Sequence, residues 1–255
     1  MSQSKPPRFS IITTVCNRAS TVQQAVQSLT AQSFGDYEHI VQDGGSADGT
    51  LAVLKAAADP RMKLLSEPDG GIYDGLNRAL SRCSGELIGL LHSDDFYAHA
   101  NVLDRVARRF VETGADAVYG DLDYVSASDP GRIVRRWRAG EFSTRALKRG
   151  WMPPHPALFL KRSVLEKWGT YDPDFQIAAD YDAILRYFGT GQIVAAYLPE
   201  VLVKMRLGGA SNRSLGRIIC KSREDYRALR KNQIGGLSTL LFKNLRKVTQ
   251  FYPTG

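Results

Sequence analysis

The 255-residue chain has little cysteine and no long apolar run. Its three cysteines, Cys16, Cys83 and Cys220, show no CxxC spacing and leave one unpaired, which argues against structural disulfides and against a zinc site. No stretch approaches the roughly 20 consecutive apolar residues of a membrane-spanning helix. Residues 1–8 also lack the apolar core of a signal peptide. These absences predict a protein of the reducing cytoplasm.

Two common nucleotide-binding motifs are missing as well. The apolar, β-branched segment 9–15 is not followed by GxGxxG, which disfavours a dehydrogenase. The Gly-rich segment 66–74 contains neither GKS nor GKT and is too acidic for a P-loop. A nucleotide site in this chain would therefore use neither a GxGxxG motif nor a P-loop.

Charge is divided unevenly along the chain. Residues 1–131 carry 11 Lys and Arg against 17 Asp and Glu, a net −6, whereas residues 132–255 carry 23 against 9, a net +14. The acidic half favours a metal or cation site, and the basic half favours an anionic partner. That partner is a phosphate-bearing ligand, an anionic membrane or nucleic acid, and charge alone does not distinguish them.

Strand-like and helical patterns alternate through the first half. Apolar segments typical of strands cover 9–15, 38–42, 62–66, 86–91 and a segment beginning at 117, and helical spacing covers 20–32, 49–58, 72–83 and 102–113. This alternation predicts βαβ units and a parallel sheet covered on both faces. The polar clusters 43–48, 67–74 and 92–95 each follow a strand, so we expect them to meet at one ligand-binding edge.

The second half is less regular. Residues 131–150 are basic and are predicted to form a loop, and short helical patterns follow at 163–167 and 182–188. Over 237–252, apolar residues recur at three- and four-residue spacing, with Lys243, Arg246 and Lys247 at the other positions. This pattern predicts a basic amphipathic helix that either lies on a membrane or packs on the domain or a second subunit.

Asp94 and Asp95 are the strongest metal-ligating candidates. Two adjacent carboxylates at a strand end repel each other unless a cation compensates, and hard oxygen ligands suit Mg²⁺ or Mn²⁺ held jointly with substrate phosphates. The alternative is a solvated turn that caps the following helix. Asp121 and Asp123, in Asp-x-Asp spacing, are a rival pair.

Other polar residues suit ligand contact or proton transfer. Asp43, in a Gly-rich turn, suits a nucleobase N–H or a ribose hydroxyl. Asp180 is expected just before a helix, in partly apolar surroundings that raise its pKa and suit a general base, with Asp182 as a capping alternative. His155, held between prolines, and Arg206, in the Gly-rich segment 206–212, are candidates for acceptor or diphosphate contact.

These motifs, in this order, resemble glycosyltransferase family 2. The matching segments are 10–17 (SIITTVCN), 43–50 (DGGSADGT), 69–71 with 77–80 (DGG, NRAL), 84–86 and 92–95 (SGE, HSDD), 155–159 (HPALF), 169–172 (GTYD) and 180–182 (DYD) with Arg186. The resemblance covers about residues 9–212. It implies an α/β GT-A fold with a mostly parallel mixed sheet flanked by helices.

The resemblance also implies site residues and a reaction. Asp95 would bind Mn²⁺ or Mg²⁺ with support from Asp94, and Asp180 would be the base of a single displacement with inversion. The donor, a nucleoside-diphosphate sugar, would be held by Thr14, Cys16, Asn17, Asp43, Asp69, Gly70, Asn77, Ser93 and Asp94. Thr14 and Cys16 replace the usual Pro and Tyr of the first motif, and Ala179 replaces the usual Glu before the base. The Q-x-x-R-W motif of processive members is absent, which favours transfer of single sugars.

Similar sequences build bacterial exopolysaccharide, capsule or O-antigen. The resemblance implies a sugar donor, with UDP-sugars favoured, a glycan or lipid-linked acceptor, and a peripheral location at the inner face of the inner membrane through 237–252. The implied division is a GT-A domain over 1–215, with donor half 9–121 and acceptor half 122–215, and a helical extension over 216–255. The alternatives are a nucleotidyltransferase acting on sugar phosphates and a basic nucleic-acid-binding protein. The acidic clusters disfavour nucleic acid because they repel its phosphates.

Overall fold

The computed structural model describes residues 6–207, 215–246 and 250. In this part of the chain one mixed sheet contains nine strands, β1 (Phe9–Val15), β2 (Tyr37–Asp43), β3 (Met62–Ser66), β4 (Leu87–Leu90), β5 (Asp95–Tyr97), β6 (Ala117–Val125), β7 (Ile133–Trp137), β8 (Leu158–Lys161) and β9 (Ala195–Arg206). The described helices are α1 (Val22–Thr30), α2 (Thr50–Ala57), α3 (Ile72–Leu80), α4 (Val102–Thr113), α5 (Thr144–Lys148), α6 (Arg162–Trp168), α7 (Ala179–Gly189), α8 (Leu215–Lys231) and α9 (Leu237–Arg246), with a 3₁₀ turn at His155–Ala157.

The first four strands form the parallel part of the sheet, in the order β3-β2-β1-β4. Every residue of β1 and β2 is buried, because helices cover both faces. Such strands have continuous apolar runs rather than alternation. The predicted parallel sheet is confirmed, and the predicted strands in this region end within one residue of the observed ones.

The remaining strands complete the sheet, and the periodicity revealed only the start of β6 among them. The order continues β4-β8-β6-β9-β5, and β7 pairs with the outer part of β6. The loop prediction for 131–150 is wrong, because this segment contains β7 and α5. Arg206 was also expected in a loop but is the last residue of β9.

Strand direction brings the site to one edge. β1 to β4, β6 and β9 all run the same way, so their carboxyl ends lie together. β5 runs antiparallel to β9 and starts at that edge, with Asp95 opposite Met205. Asp95 is therefore the first residue of a buried strand rather than part of a solvated turn.

Helix α9 packs with its polar side inward. Leu237, Leu241 and Leu245 are 72%, 59% and 53% exposed, whereas Lys243 is 4% exposed. Lys243, which the sequence places outside the apolar positions of the helix, therefore faces the protein. Part of the predicted helix, 247–249 and 251–252, lies outside the described residues. Amphipathicity predicted the helix but not the side that the fold would bury.

Three contacts explain this orientation. The Lys243 Nζ lies 2.7 Å from Asp225 Oδ1 of α8 and 3.2 Å from the ring centroid of Tyr181 on α7. The Thr239 hydroxyl, also buried, donates to the Lys148 carbonyl at 2.9 Å. A charge removed from water in this way needs its partner, so breaking the pair would be costly.

Within the described ranges, none of the helices combines the length and the hydropathy needed to cross a bilayer.

Gly150 sets how closely α9 approaches the domain. Its φ is +74°, and an added Cβ would lie 2.4 Å from the Lys243 backbone nitrogen. We expect Gly150→Ala to push α9 away and to cost about 1–3 kcal/mol of unfolding free energy. Urea unfolding and trypsin cleavage between α8 and α9 measure the two effects.

Gly140→Ala is the matched control. Gly140 has a similar φ, +67°, but an added Cβ there meets nothing within 4 Å. It carries the same backbone strain without the collision. Equal protease sensitivity in the two variants would contradict the role assigned to Gly150.

Candidate functional site

The donor side of the site lies at the ends of β1 to β3. Thr14 is 8% exposed, and its hydroxyl has no hydrogen-bond partner among the described residues. The carboxylate of Asp69 fills a gap that exists because Gly44 and Gly75 lack side chains, since a Cβ at either position would lie 2.8 Å from Asp69 Oδ2. The same space borders Thr14, whose Cγ2 is 3.4 Å from that added Cβ on Gly75. Two predicted donor residues are thus brought together.

Asp43 is close by but is already well bonded. It is fully buried, and Oδ2 accepts hydrogen bonds from Gly45 N, Ser46 N and Ser66 Oγ, while Oδ1 accepts one from Ser46 Oγ. Asp43 therefore shapes the turn between β2 and α2. Its contact with a nucleoside stays a prediction.

Asn17 and Cys16 border the same turn. Asn17 has a φ of +53°, accepts a hydrogen bond from Ala47 N at 2.9 Å and donates its own N–H to Ser46 Oγ at 2.8 Å. Cys16 is exposed with a free thiol. At the neighbouring turn, Gly70 N donates to Asp74 Oδ2 at 2.8 Å. These contacts fix the loops around the donor space.

Asp95 is the most unusual carboxylate of the site. It is fully buried, and neither of its oxygens has a hydrogen-bond partner among the described residues. Burial, together with the nearby charge of Asp94, raises the pKa of Asp95 well above its usual value despite an opposing effect of Arg206. A buried carboxylate without a partner carries a large free-energy cost, which a cation would remove.

Arg206 holds the backbone beside this pair. Its guanidinium donates to the Asp94 carbonyl at 2.8 Å and to Gln24 Oε1, and it lies over the Phe96 ring. Asp94 is half-buried next to the buried Ser93. The structure therefore brings Asp94, Asp95, Ser93 and Arg206 together, as predicted.

The site fits a metal that is completed by the substrate. In the described part of the chain no group of three or more His, Cys, Asp or Glu side chains forms a protein-only metal cage. One unpaired buried carboxylate with a half-buried neighbour instead suits Mg²⁺ or Mn²⁺, which take few protein ligands and share the rest with phosphates. Asp95 and Asp94 are the residues that would hold it.

The rival pair has other partners. Asp121 accepts hydrogen bonds from Ala139 N and the Tyr197 hydroxyl, and Asp123 pairs with Arg138 at 2.7 Å. Arg138 also lies 3.5 Å from Asp121. These carboxylates join strands and are already compensated, which leaves Asp94 and Asp95 as the better metal candidates.

Asp180 lies across the site from the donor loops, in the first turn of α7 rather than before it. Both hydrogen bonds that it accepts within the described chain fall on Oδ1, from Tyr181 N at 2.8 Å and from Tyr73 OH at 3.2 Å. Oδ2 remains for a substrate. Glu224 of α8 fixes this turn, since its carboxylate accepts the backbone N–H groups of 176–178 at 2.8–2.9 Å.

The pKa of Asp180 moves in the direction opposite to the predicted one. Burial raises it, but His155 in its protonated form, the charges of Lys221 and Lys243, and the bond from Tyr181 N more than offset burial, so the pKa lies below its usual value. The expectation of a raised pKa overlooked Lys221 and Lys243, which are distant in sequence. Asp180 is therefore ionised at neutral pH.

Asp182 has a structural role. It is fully buried, lies 3.4 Å from Arg186 and 3.2 Å from Lys231, and accepts a hydrogen bond from Asn232 at 2.9 Å. It joins α7 to α8, whereas Asp180 faces the site.

His155 links the acceptor side to the metal pair as a neutral ring. Its Nε2 lies 2.8 Å from the Tyr171 hydroxyl, and its ring centroid is 6.1 Å from that of His92. Burial lowers the pKa of His155 to about 4 and also lowers the pKa of His92. The predicted contact of His155 with acceptor or diphosphate would therefore be a hydrogen bond without a positive charge.

The aromatic residues Tyr73 and Tyr171 were missed by sequence reasoning. Their rings stack at 5.8 Å, and the Tyr73 hydroxyl is shared between the Ile177 carbonyl and Asp180. Asn77 Nδ2 donates to the Tyr171 carbonyl oxygen at 2.8 Å, and Asn77 Oδ1 accepts a hydrogen bond from Tyr171 N at 3.1 Å. Tyr171 falls inside the matched segment 169–172, and Tyr73 lies two residues after the matched segment 69–71, so their positions were the available signal. Donor contact by Asn77 stays a prediction.

Comparison with known proteins gives a family match and a similar curated protein. Residues 10–169 match the family described as Glycosyl transferase family 2. A PGL/p-HBAD biosynthesis glycosyltransferase of Mycobacterium bovis is 31% identical over 211 residues, which are 81% of this chain and 80% of that protein.

Two solved structures share the fold. Staphylococcus aureus TarS 1–349 in complex with UDP-GlcNAc has a TM-score of 0.68 at 17% identity and covers 89% of this chain, which spans 66% of that fragment. The mannosyltransferase PcManGT of Pyrobaculum calidifontis, in complex with GDP-Man and Mn²⁺, has a TM-score of 0.66 at 17% identity, with 96% and 70% coverage. The predicted GT-A fold is thereby confirmed.

The unpaired charge of Asp95 can be tested without a reaction. We expect Asp95→Asn to stabilise the metal-free protein by about 1–3 kcal/mol, because it removes the cost of either burying or protonating a carboxylate that has no partner. The same variant should lose any rise in melting temperature that Mn²⁺ gives. Thermal and urea unfolding, with EDTA or Mn²⁺, measure both effects.

Asp123→Asn is the control, since Asp123 is also buried but pairs with Arg138. This variant should be destabilised and should keep its response to Mn²⁺. A destabilised Asp95→Asn protein that still responds to Mn²⁺ would remove Asp95 from the metal site.

Proposed function

The chain belongs to glycosyl transferase family 2, and on that premise we propose that it is an inverting, metal-dependent enzyme that transfers a single sugar. The donor is a nucleoside-diphosphate sugar, with UDP-sugars favoured. The acceptor is a hydroxyl of a glycan or lipid-linked saccharide in the synthesis of cell-surface polysaccharide or glycolipid. The observation that carries the proposal is the unpartnered carboxylate of Asp95, at the same sheet edge as the ionised Asp180.

The donor occupies the ends of β1 to β4 in this proposal. Thr14, Asp43 and Asp69 face the nucleoside, and Asp94 and Asp95 hold Mn²⁺ or Mg²⁺ against the diphosphate, with Arg206 beside them. When bound, the metal supplies a Lewis acid that neutralises charge on the diphosphate. UDP-GlcNAc in TarS and GDP-Man with Mn²⁺ in PcManGT support a sugar-nucleotide donor and a divalent metal.

Asp180 removes the proton from the acceptor hydroxyl. The acceptor oxygen forms a bond to the anomeric carbon as the bond from that carbon to the diphosphate breaks, which inverts the configuration. The proton goes to Asp180 Oδ2, and the nucleoside diphosphate leaves with the bonding electrons. Tyr73 orients the base by donating to Oδ1. A nucleotidyltransferase would release pyrophosphate instead, so the identity of the product separates the two reactions.

The exposed side of α9 supports peripheral membrane contact. Leu237, Leu241 and Leu245 lie one turn apart. The exposed cations Arg145 and Lys148 belong to α5, to which α9 is bonded through Thr239, and the exposed Arg149 follows α5. An apolar stripe beside cations suits the surface of an anionic bilayer. In this proposal, 9–121 bind the donor, 122–215 the acceptor, and 216–255 extend the GT-A domain.

Asp180→Asn separates donor binding from catalysis. A thermal-shift panel of UDP-, GDP- and dTDP-sugars with and without Mn²⁺ identifies the donor. The variant should keep the same shift and lose transfer by roughly two to four orders of magnitude. Asp182→Asn, two residues further along α7, is the control. This variant should lose stability yet keep its turnover per folded molecule within about tenfold. Near-normal turnover of Asp180→Asn would place the base elsewhere.

The pH dependence follows from the lowered pKa of Asp180. A base works when ionised, so activity is present above its pKa and is lost as pH falls through it. Because that pKa lies below its usual value and the pKa of His155 is about 4, we expect kcat at saturating donor and Mn²⁺ to hold from pH 8 down to about 5. A fall between pH 7 and 6 that His155→Gln abolishes would instead assign the base role to a histidine.

A further inference from the structure

The helix that carries Asp180, α7, is held at its start by a residue from a distant part of the chain. Its N-cap residue is Ala178, which has no side-chain oxygen to accept a backbone N–H. The carboxylate of Glu224, 46 residues further along the chain in α8, bonds this region instead. Oε1 accepts a hydrogen bond from Gln176 N at 2.9 Å, and Oε2 accepts bonds from Ile177 N at 2.8 Å and Ala178 N at 2.9 Å.

The peptide group that joins Ile177 to Ala178 is bonded from both sides. Its N–H donates to Glu224 Oε2 at 2.9 Å, and its carbonyl accepts the Tyr73 hydroxyl at 2.7 Å. The N–H and C=O of a trans peptide group point in opposite directions, so these two bonds together fix the rotation of the group. The same Tyr73 hydroxyl lies 3.2 Å from Asp180 Oδ1. Glu224 is therefore connected to Asp180 through one peptide group and one tyrosine.

Other contacts attach α8 to the domain, so Glu224 is not needed for that purpose. Lys231 pairs with Asp172 at 2.7 Å and with Asp182 at 3.2 Å. The Asn232 amide donates to the same Asp182 at 2.9 Å. Loss of the Glu224 carboxylate would therefore release the backbone that precedes α7 without detaching α8.

We propose that Glu224 is a positioning residue for the base, and that the extension 216–255 is thereby part of the catalytic unit; this inference rests on the proposed transfer function with Asp180 as the base. Glu224 holds the peptide group between residues 177 and 178, and this group holds the Tyr73 hydroxyl. Tyr73 in turn keeps Asp180 Oδ2 turned toward the acceptor hydroxyl. A displacement of 1 Å in a reacting group can lower a rate about 10²-fold. Glu224 therefore acts on kcat and leaves donor binding unchanged.

Turnover of the full chain measures this role. Release of nucleoside diphosphate is followed with Mn²⁺, the donor that stabilises the protein most, and the octyl glycosides of glucose, galactose, mannose and N-acetylglucosamine as acceptors. Glu224→Ala loses all three bonds and should lower kcat per folded molecule about thirtyfold or more, with the donor KM within about twofold of the parent. Glu224→Gln keeps one oxygen for Ile177 N and Ala178 N, so its kcat should recover to within about fivefold of the parent.

Glu38→Ala is the matched control. Glu38 is also a buried glutamate that holds a turn, since its Oε1 accepts hydrogen bonds from Ser84 N at 2.6 Å and Gly85 N at 3.2 Å. It lies near the start of β2, at the opposite end of the strand from Asp43. This variant should lose stability, as Glu224→Ala does, and keep kcat per folded molecule within about twofold. Equal losses of kcat in the two variants would overturn the proposal, because they would follow general destabilisation.

Hydrogen exchange gives a local readout that needs no turnover. In Glu224→Ala the amides of 176–178 lose their acceptor and should exchange about tenfold faster or more, while the amides of β1 keep the rates of the parent. Mass spectrometry of peptides that span 176–178 measures the change. Unchanged exchange in these peptides would mean that Glu224 does not hold the segment, and the proposal would be wrong.

Tyr73→Phe tests the connection from Glu224 to the base. This substitution removes the hydroxyl and should lower kcat about tenfold. Adding Glu224→Ala to it should lower kcat by less than a further factor of about three, because both changes break the same connection. Losses that multiply would show that Glu224 acts by a separate route, which contradicts the proposal.

Donor binding distinguishes the two levels of failure. Both Glu224 variants should keep the rise in melting temperature that the sugar nucleotide and Mn²⁺ give the parent. If the parent shows no such rise, or releases no nucleoside diphosphate with any of the acceptors, the transfer function itself fails. If the parent is active and Glu224→Ala matches it, only the positioning role fails and the transfer function stands.

Discussion

The backbone hydrogen bonds of β9 hold the candidate site together. β9 lies between β6 and β5, so a strand from residues 195–206 fixes Asp95 opposite Met205 and brings Arg206 to the Asp94 carbonyl. The same strand pairs with β6 over most of its length, and this pairing places Tyr124 of β6 opposite Met205. The strand ends that carry Thr14, Asp43 and Asp95 are thus parts of one sheet.

Charge is distributed across that sheet edge in two opposite ways. Asp95 is buried without a partner, so its ionised form depends on an added cation. The charges of two lysines on the C-terminal helices, Lys221 and Lys243, favour the ionised form of Asp180. The acidic first half and the basic second half of the sequence correspond to these two environments. Neutral His92 and His155 lie between the two carboxylates and leave both charges in place.

The sequence predicted best where local periodicity and burial agree. β1 to β4 and α1 to α4 were predicted because their apolar residues recur at strand or helix spacing, and Asp94 and Asp95 were located as a strand-end pair. β5 has three residues and β9 contains Pro199, so neither has a strand pattern of its own; both are stabilised by pairing with distant strands. The pKa of Asp180 and the inward side of α9 depend on Lys243, whose partners, Asp225 and Tyr181, adjoin it only in the folded chain. Long-range contacts decided these features.

The lowered pKa of Asp180 has a consequence for unproductive chemistry. A weakly basic carboxylate is a poor activator of water, because the proton affinity of the carboxylate falls with its pKa. A donor waiting in the site would then be protected from being hydrolysed to free sugar and nucleoside diphosphate. In the proposed reaction, an acceptor hydroxyl held rigidly against Oδ2 would overcome this low basicity through orientation. The cations around Asp180 would in this way conserve activated sugar in the interval between acceptors.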